Sequence, residues 1–154
     1  MPGADKRAFA EAPSTSGYPL RFLIYGTGAV GAYLGGRLAA AGHDILFLAR
    51  PSMASALLRE GLRFDGTRSS QTVGGFEVLT ELPSELDLGP ESAVLLTVRA
   101  FACAGAAAAL QQRLRRHTPV VCLLNGIGNE ETLAEALGED RVLPATLTTA
   151  VAMP

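Results

Sequence analysis

Cysteine, lysine and charge are all scarce in this sequence. Its two cysteines, Cys103 and Cys122, fall at the start of a predicted helix and inside a predicted buried strand, which makes neither a disulfide framework nor a metal-ligand spacing. They read as small buried hydrophobes, and no metal site is expected. Lysine occurs once, as Lys6, and the arginines are scattered rather than gathered into a stripe. With a net charge of −2, nothing supplies the footprint that a nucleic-acid backbone requires, so no nucleic-acid partner is expected. Long apolar runs are missing too. No stretch reaches the roughly 18 to 20 uninterrupted apolar residues of a membrane-spanning helix, and the N-terminal stretch lacks the apolar segment of a secretory signal. The expectation is a cytoplasmic protein with no membrane partner.

What is present suits a globular core. Hydrophobic residues make up 48% of the 154 and charged ones 18%, enough for a single domain to bury roughly two thirds of its unfolded surface. Residues 1–19 mix Pro, Gly, Ser, Ala and Asp without an apolar period, so burial cannot offset the entropy of ordering them. A flexible tail is expected there, and a folded domain over 20–154.

From Leu20 onward short apolar runs alternate with helical stretches, the pattern of β-α-β units around a parallel sheet. Strands are predicted at 21–25, 44–49, 93–98, 119–124 and 142–148. Each is a continuous apolar run, as strands covered on both faces require. Helices are predicted at 29–41, 52–59, 103–116 and 130–137. Gly42 is placed to take the left-handed cap of the first helix, and Asn129 to cap the last, with Glu130 and Glu131 on its positive dipole end. Between 62 and 80 the rhythm breaks: Asp65-Gly66 and Gly74-Gly75 flank two short β-like pieces, which predicts an antiparallel excursion.

One constellation carries chemistry. The run Arg21-Phe22-Leu23-Ile24-Tyr25 leads into Gly26-Thr27-Gly28-Ala29-Val30-Gly31 and then a helix. In the order strand, glycine turn, helix, these residues form a dinucleotide-binding turn of a Rossmann-type, doubly wound α/β fold. Gly26 permits the tight turn, Gly28 lets backbone approach a pyrophosphate, and Gly31 lets the helix pack closely. The helix start presents unpaired amides and partial positive charge to the phosphates. Val30, Leu34 and Leu38 share one predicted face of that helix, and the costly pair Gly35 and Gly36 implies close packing there. At the end of the second strand, where a site for NAD carries an acid on the ribose hydroxyls, this chain has Arg50. A guanidinium there suits the 2′-phosphate of NADPH. A charge-assisted bond of about 1.5 to 3 kcal/mol corresponds to roughly ten- to a hundred-fold preference. Ser52 reads either as a second phosphate donor or as the cap of the next helix.

Together with these residues, Ala41-Gly42-His43-Asp44, Thr97-Val98-Arg99-Ala100 and Leu124-Asn125-Gly126-Ile127-Gly128-Asn129-Glu130-Glu131 resemble the ketopantoate reductases (2-dehydropantoate 2-reductases), NADPH-dependent enzymes of pantothenate biosynthesis. The resemblance runs from Leu20 to the C-terminus and corresponds to the cofactor-binding half of such an enzyme. It implies that Arg50 holds the 2′-phosphate and that Asn125 lies near the nicotinamide and the carbonyl of a 2-keto acid substrate, as its catalytic residue. Arg99 stands where the family usually has a lysine that reaches the cofactor. It keeps the charge and the implied contact, but not an acid-base role.

The resemblance implies a helical substrate domain carrying a proton-donating lysine and a substrate-binding glutamate, which is expected to lie outside these 154 residues. The expectation is therefore an oxidoreductase domain that binds NADPH and turns over nothing alone. The competing reading is a stand-alone dinucleotide-sensing module. Surface left bare by an absent domain is expected to be apolar and to favour a homodimer.

Overall fold

The computed structural model describes residues 17–65, 70–148 and 150–152. Along the chain come β1 (Arg21–Tyr25), α1 (Ala29–Ala40), β2 (Asp44–Leu48) and α2 (Pro51–Glu60), then the short strands β3 (Leu62–Asp65), β4 (Ser70–Val73) and β5 (Glu77–Leu79). They are followed by β6 (Ser92–Leu96), α3 (Cys103–Arg113), β7 (Val120–Cys122), α4 (Asn129–Leu137) and β8 (Val142–Pro144). Six strands form one sheet in the order β5-β2-β1-β6-β7-β8. Every neighbouring pair is parallel, giving the α/β arrangement wound outward in both directions from β1.

Consecutive apolar residues serve opposite faces. Leu23, Leu46, Val94, Leu96, Val120 and Cys122 point into the core shared with α3 and α4. Ile24, Ile45, Phe47 and Leu95 point into the other, where residues of α1 and α2 pack. A strand buried on both faces has no polar side to show, which is why these runs do not alternate in sequence. Among the described residues no helix is long and apolar enough to cross a membrane.

The structure corrects several expectations. Only part of 62–80 is an antiparallel excursion: β3 pairs antiparallel with β4, whereas β5 joins β2 in parallel as the sixth strand of the sheet. Three residues were too few to show that pairing in advance. The third helix ends at Arg113 rather than 116, because Leu114 turns extended and bridges Leu86. That contact anchors the β5–β6 crossover, which carries no helix and instead buries Leu82, Leu86 and Leu88. Proline at 51 starts α2, so Ser52 lies within its first turn and caps nothing. Gly42, as expected, has the positive φ of a helix terminator, +92°. Of the expected tail, residues 1–16 lie outside the described residues.

The close packing of α1 expected from Gly35 and Gly36 is present. Gly31, Ala32, Gly35 and Gly36 are buried, while Leu34 and Leu38 pack from the flank. A Cβ on Gly35 would come within 2.6 Å of Phe47 Cε1 and 3.0 Å of Ile24 Cγ1; one on Gly36 would come within 2.6 Å of Phe64 Cε2. Aromatic rings of β2 and β3 thus occupy the space that helix side chains would take.

Two consequences are measurable. Gly35→Ala gains about 1 kcal/mol of helix propensity, but overpacking a filled core costs about 1–3 kcal/mol, and Phe47, fully buried and edge-on to Phe76 at 5.0 Å, has nowhere to retreat. The urea midpoint is expected to fall; a rise would contradict this packing. Cys103 and Cys122 are both buried, and burial pushes both thiols above their ordinary range. Thiolate is the reactive form, so iodoacetamide at neutral pH is expected to leave the native chain unlabelled and to label both after unfolding, as read by mass spectrometry.

Candidate functional site

Parallel register brings three strands to a common finish: Tyr25 stands opposite Leu48 on one side and Leu96 on the other. The residues that follow are gathered on the C-terminal edge, where open α/β sheets take their ligands. Gly26, Thr27, Gly28, Arg50 and Arg99 line a single cleft there, of about 910 Å³. Ala29 and Val30 form the half-buried first turn of α1, and Gly31 is buried. Asn125 follows β7 on the same edge and is exposed, but it does not line this cleft.

The three glycines of the turn answer to different constraints. Gly26 has φ +112°, and a Cβ there would press to 2.9 Å from the backbone of Thr97 and Val98. A Cβ on Gly31 would fall on the Gly26 carbonyl oxygen and lie 2.6 Å from Thr97 Oγ1. The closeness that Gly31 permits is therefore to the turn's own carbonyl and to the end of β6. Gly28 differs from both. It is exposed, its φ of −75° suits any residue, and a Cβ there would meet nothing within 4 Å. No protein atom requires glycine at 28.

Charge in the cleft is predominantly positive. Among the described residues lining it, Arg50, Arg99 and Arg113 face a single acid, Glu81. Arg113 reaches the cleft from the far end of α3, and its Nη1 donates to the Leu82 carbonyl. Tyr25 lines the wall; burial pushes its phenol upward, and the Arg113 guanidinium opposes this only in part. The hydroxyl therefore stays protonated at neutral pH. Sequence reasoning missed Tyr25, Arg113 and Thr97 as site residues. The places of Tyr25 and Thr97 at the ends of strands flanking the turn could have signalled the first and last. Arg113, brought in by tertiary packing, left no local signal.

The β7–α4 loop is built differently from its expectation. Gly128, with φ +91°, is the residue that caps α4, and Asn129 is its first helical residue. The Asn129 side chain is buried and turned back: Nδ2 donates to the carbonyls of Asn125 at 3.2 Å and Gly126 at 3.5 Å. Its own carbonyl accepts from Cys103 Sγ at 3.6 Å, tying this loop to the one after β6. Glu130 and Glu131 do lie in the first turn of α4, on its positive end. Phe101 and Ile127, on these two neighbouring loops, are almost wholly exposed, at 86% and 102%. Among the described residues no group of three or more His, Cys, Asp or Glu side chains is placed to hold a metal ion.

Comparison with known proteins agrees with this geometry. The family model described as ketopantoate reductase PanE/ApbA matches residues 22–153. A 2-dehydropantoate 2-reductase of Archaeoglobus fulgidus is 34% identical over 116 residues, covering 75% of this chain and 35% of that protein. Among solved structures, the 2-dehydropantoate 2-reductase of Geobacter metallireducens superposes with a TM-score of 0.69 at 30% identity, over 81% of this chain and 40% of that one. That of Methylococcus capsulatus gives 0.72 at 25% identity, over 86% and 42%. The chain thus spans well under half the length of these relatives. The strand order, the glycine turn and a match that runs nearly from β1 to the last residue lead to one conclusion: this chain belongs to the ketopantoate reductase family of oxidoreductases.

Proposed function

We propose that the cleft binds NADPH, and that this chain is the cofactor-holding part of an enzyme that reduces a 2-keto acid to a 2-hydroxy acid. The observation that carries the reading is Gly28. Its missing side chain leaves open space at the start of α1 that no protein atom fills, and a phosphate on backbone amides needs that space. Arg50 supports the phosphorylated cofactor over NADH, since it lines the same cleft and no acid stands in its place at the end of β2.

In this reading the first-turn amides of Ala29, Val30 and Gly31, with those of Thr27 and Gly28, bind the pyrophosphate. Arg50 pairs with the 2′-phosphate and Arg99 supplies a second positive contact. Asn125, held by Asn129 through its own carbonyl, orients the nicotinamide or the substrate carbonyl. When bound, the reduced nicotinamide supplies a hydride. The developing alkoxide needs a proton from a group of suitable pKa, and Arg99 does not release one at any working pH. In this reading the donor belongs to a part of the enzyme beyond this cleft, and the chain alone binds cofactor without turnover. Arg50 counts against a purely NAD-sensing module.

Two experiments test the assignment. Calorimetric titration is expected to show NADPH binding roughly ten- to a hundred-fold tighter than NADH, with Arg50→Ala erasing the difference; equal affinities in the unmodified chain would discard the phosphate role of Arg50. Gly28→Ala, whose new methyl meets no protein atom, is expected to cost only about 1 kcal/mol of stability, the preference of a helix N-cap for glycine over alanine, while weakening NADPH at least about tenfold. Unchanged binding would remove the pyrophosphate from this turn.

A further inference from the structure

The glycine turn does not hold its own shape; β6 holds it. Thr97, the first residue past β6, donates from Oγ1 to the Gly26 carbonyl at 2.6 Å, with the Tyr25 carbonyl a further 3.3 Å contact. Its backbone amide donates to the Tyr25 carbonyl at 3.0 Å. One residue thus grips two successive carbonyls at the point where the chain leaves β1. We propose that Thr97 is a positioning residue of the cofactor site, setting the Gly26–Thr27 peptide so that the turn presents its amides to a pyrophosphate. The proposal rests on the dinucleotide reading above.

The argument is one of rigid geometry. The described peptide bonds are all trans, and a trans peptide is planar, with its N–H directed opposite to its C=O. Pulling the Gly26 carbonyl towards Thr97 therefore turns the Thr27 amide away from Thr97. Gly26 has positive φ, a region where glycine has wide freedom, so nothing in its own residue type fixes that plane. The hydroxyl does. Gly31 shares the arrangement, because a side chain there would collide with the Gly26 carbonyl and crowd Thr97 Oγ1 at once. A charge-free hydroxyl just past a neighbouring strand, rather than any cation, is what this site uses to aim its backbone.

Valine has the shape of threonine without the hydroxyl, so Thr97→Val removes the grip and leaves the volume. Serine keeps the hydroxyl. Two probes separate a positioning role from a structural one: NADPH, which carries the pyrophosphate, and 2′-AMP, which lacks it and reaches only the Arg50 side of the cleft. By calorimetry for NADPH and NMR titration for 2′-AMP, Thr97→Val is expected to weaken NADPH about tenfold and to leave 2′-AMP unchanged. Thr97→Ser is expected to restore most of the NADPH affinity. Should the valine variant not fold, Thr97→Ala carries the same comparison without added bulk. NADPH binding undiminished without the hydroxyl, or a loss shared equally by both probes, would overturn the positioning role while leaving the cofactor assignment standing. An unmodified chain that binds neither probe would overturn the cofactor reading and this inference with it.

Discussion

Helix α1 lies against the sheet at a distance that only hydrogen side chains allow, and the position of the whole C-terminal edge depends on that approach. Gly31 touches the turn, Gly35 touches Phe47 on β2, and Gly36 touches Phe64 on β3. A helix that started further out would carry its first-turn amides away from the ends of β2 and β6. The helix brings its large apolar side chains, Leu34 and Leu38, to the core from the flank, and the rings of β2 and β3 fill the space over its glycines. Here packing and function make the same demand, so a substitution made to improve helix propensity works against both.

Parallel pairing converts that local closeness into a site. Because β1, β2 and β6 finish level, residues from three separated stretches of chain meet without any of them departing from its strand's direction. The cleft collects three guanidiniums against one carboxylate, although the chain as a whole carries a net charge of −2. Local sign, not total charge, governs attraction of an anionic ligand at close range, since exposed charges beyond about 10 Å are screened. The positive lining arises from strand ends and one helix terminus converging, a property of topology rather than composition.

Much of this was legible in the order of residues. Continuous apolar runs identified β1, β2, β6 and β7 because both faces of those strands are covered, and glycine at 26, 28 and 31 identified the turn that follows. What stayed hidden depended on partners distant in the chain. Strand β5 is three residues long and has meaning only beside β2. Helix α3 is cut short by Leu86, met from the crossover. Asn129 looked like a cap because asparagine before two acids usually is one; Gly128, able to take positive φ, released it to turn inward and hold Asn125. The close approach of α1 was legible in the costly pair Gly35 and Gly36, but the rings that fill the space, Phe47 and Phe64, come from elements distant in the chain.

The separation between the cleft and Asn125 follows from the strand order. Arg50 extends from β2, the glycine turn from β1, Arg99 from beyond β6 and Asn125 from beyond β7, in the same sequence across the edge as the strands themselves. Three inter-strand steps of about 4.8 Å set β2 and β7 roughly 14 Å apart. Under the proposed reading a dinucleotide lies along that edge, its phosphorylated ribose at Arg50 and its reactive ring towards Asn125. The cleft then accounts for the non-reacting half of the cofactor alone. Asn125 is exposed on the same loop as Ile127, itself almost wholly exposed, so under that reading excluding water from the reactive ring requires a surface that covers this loop.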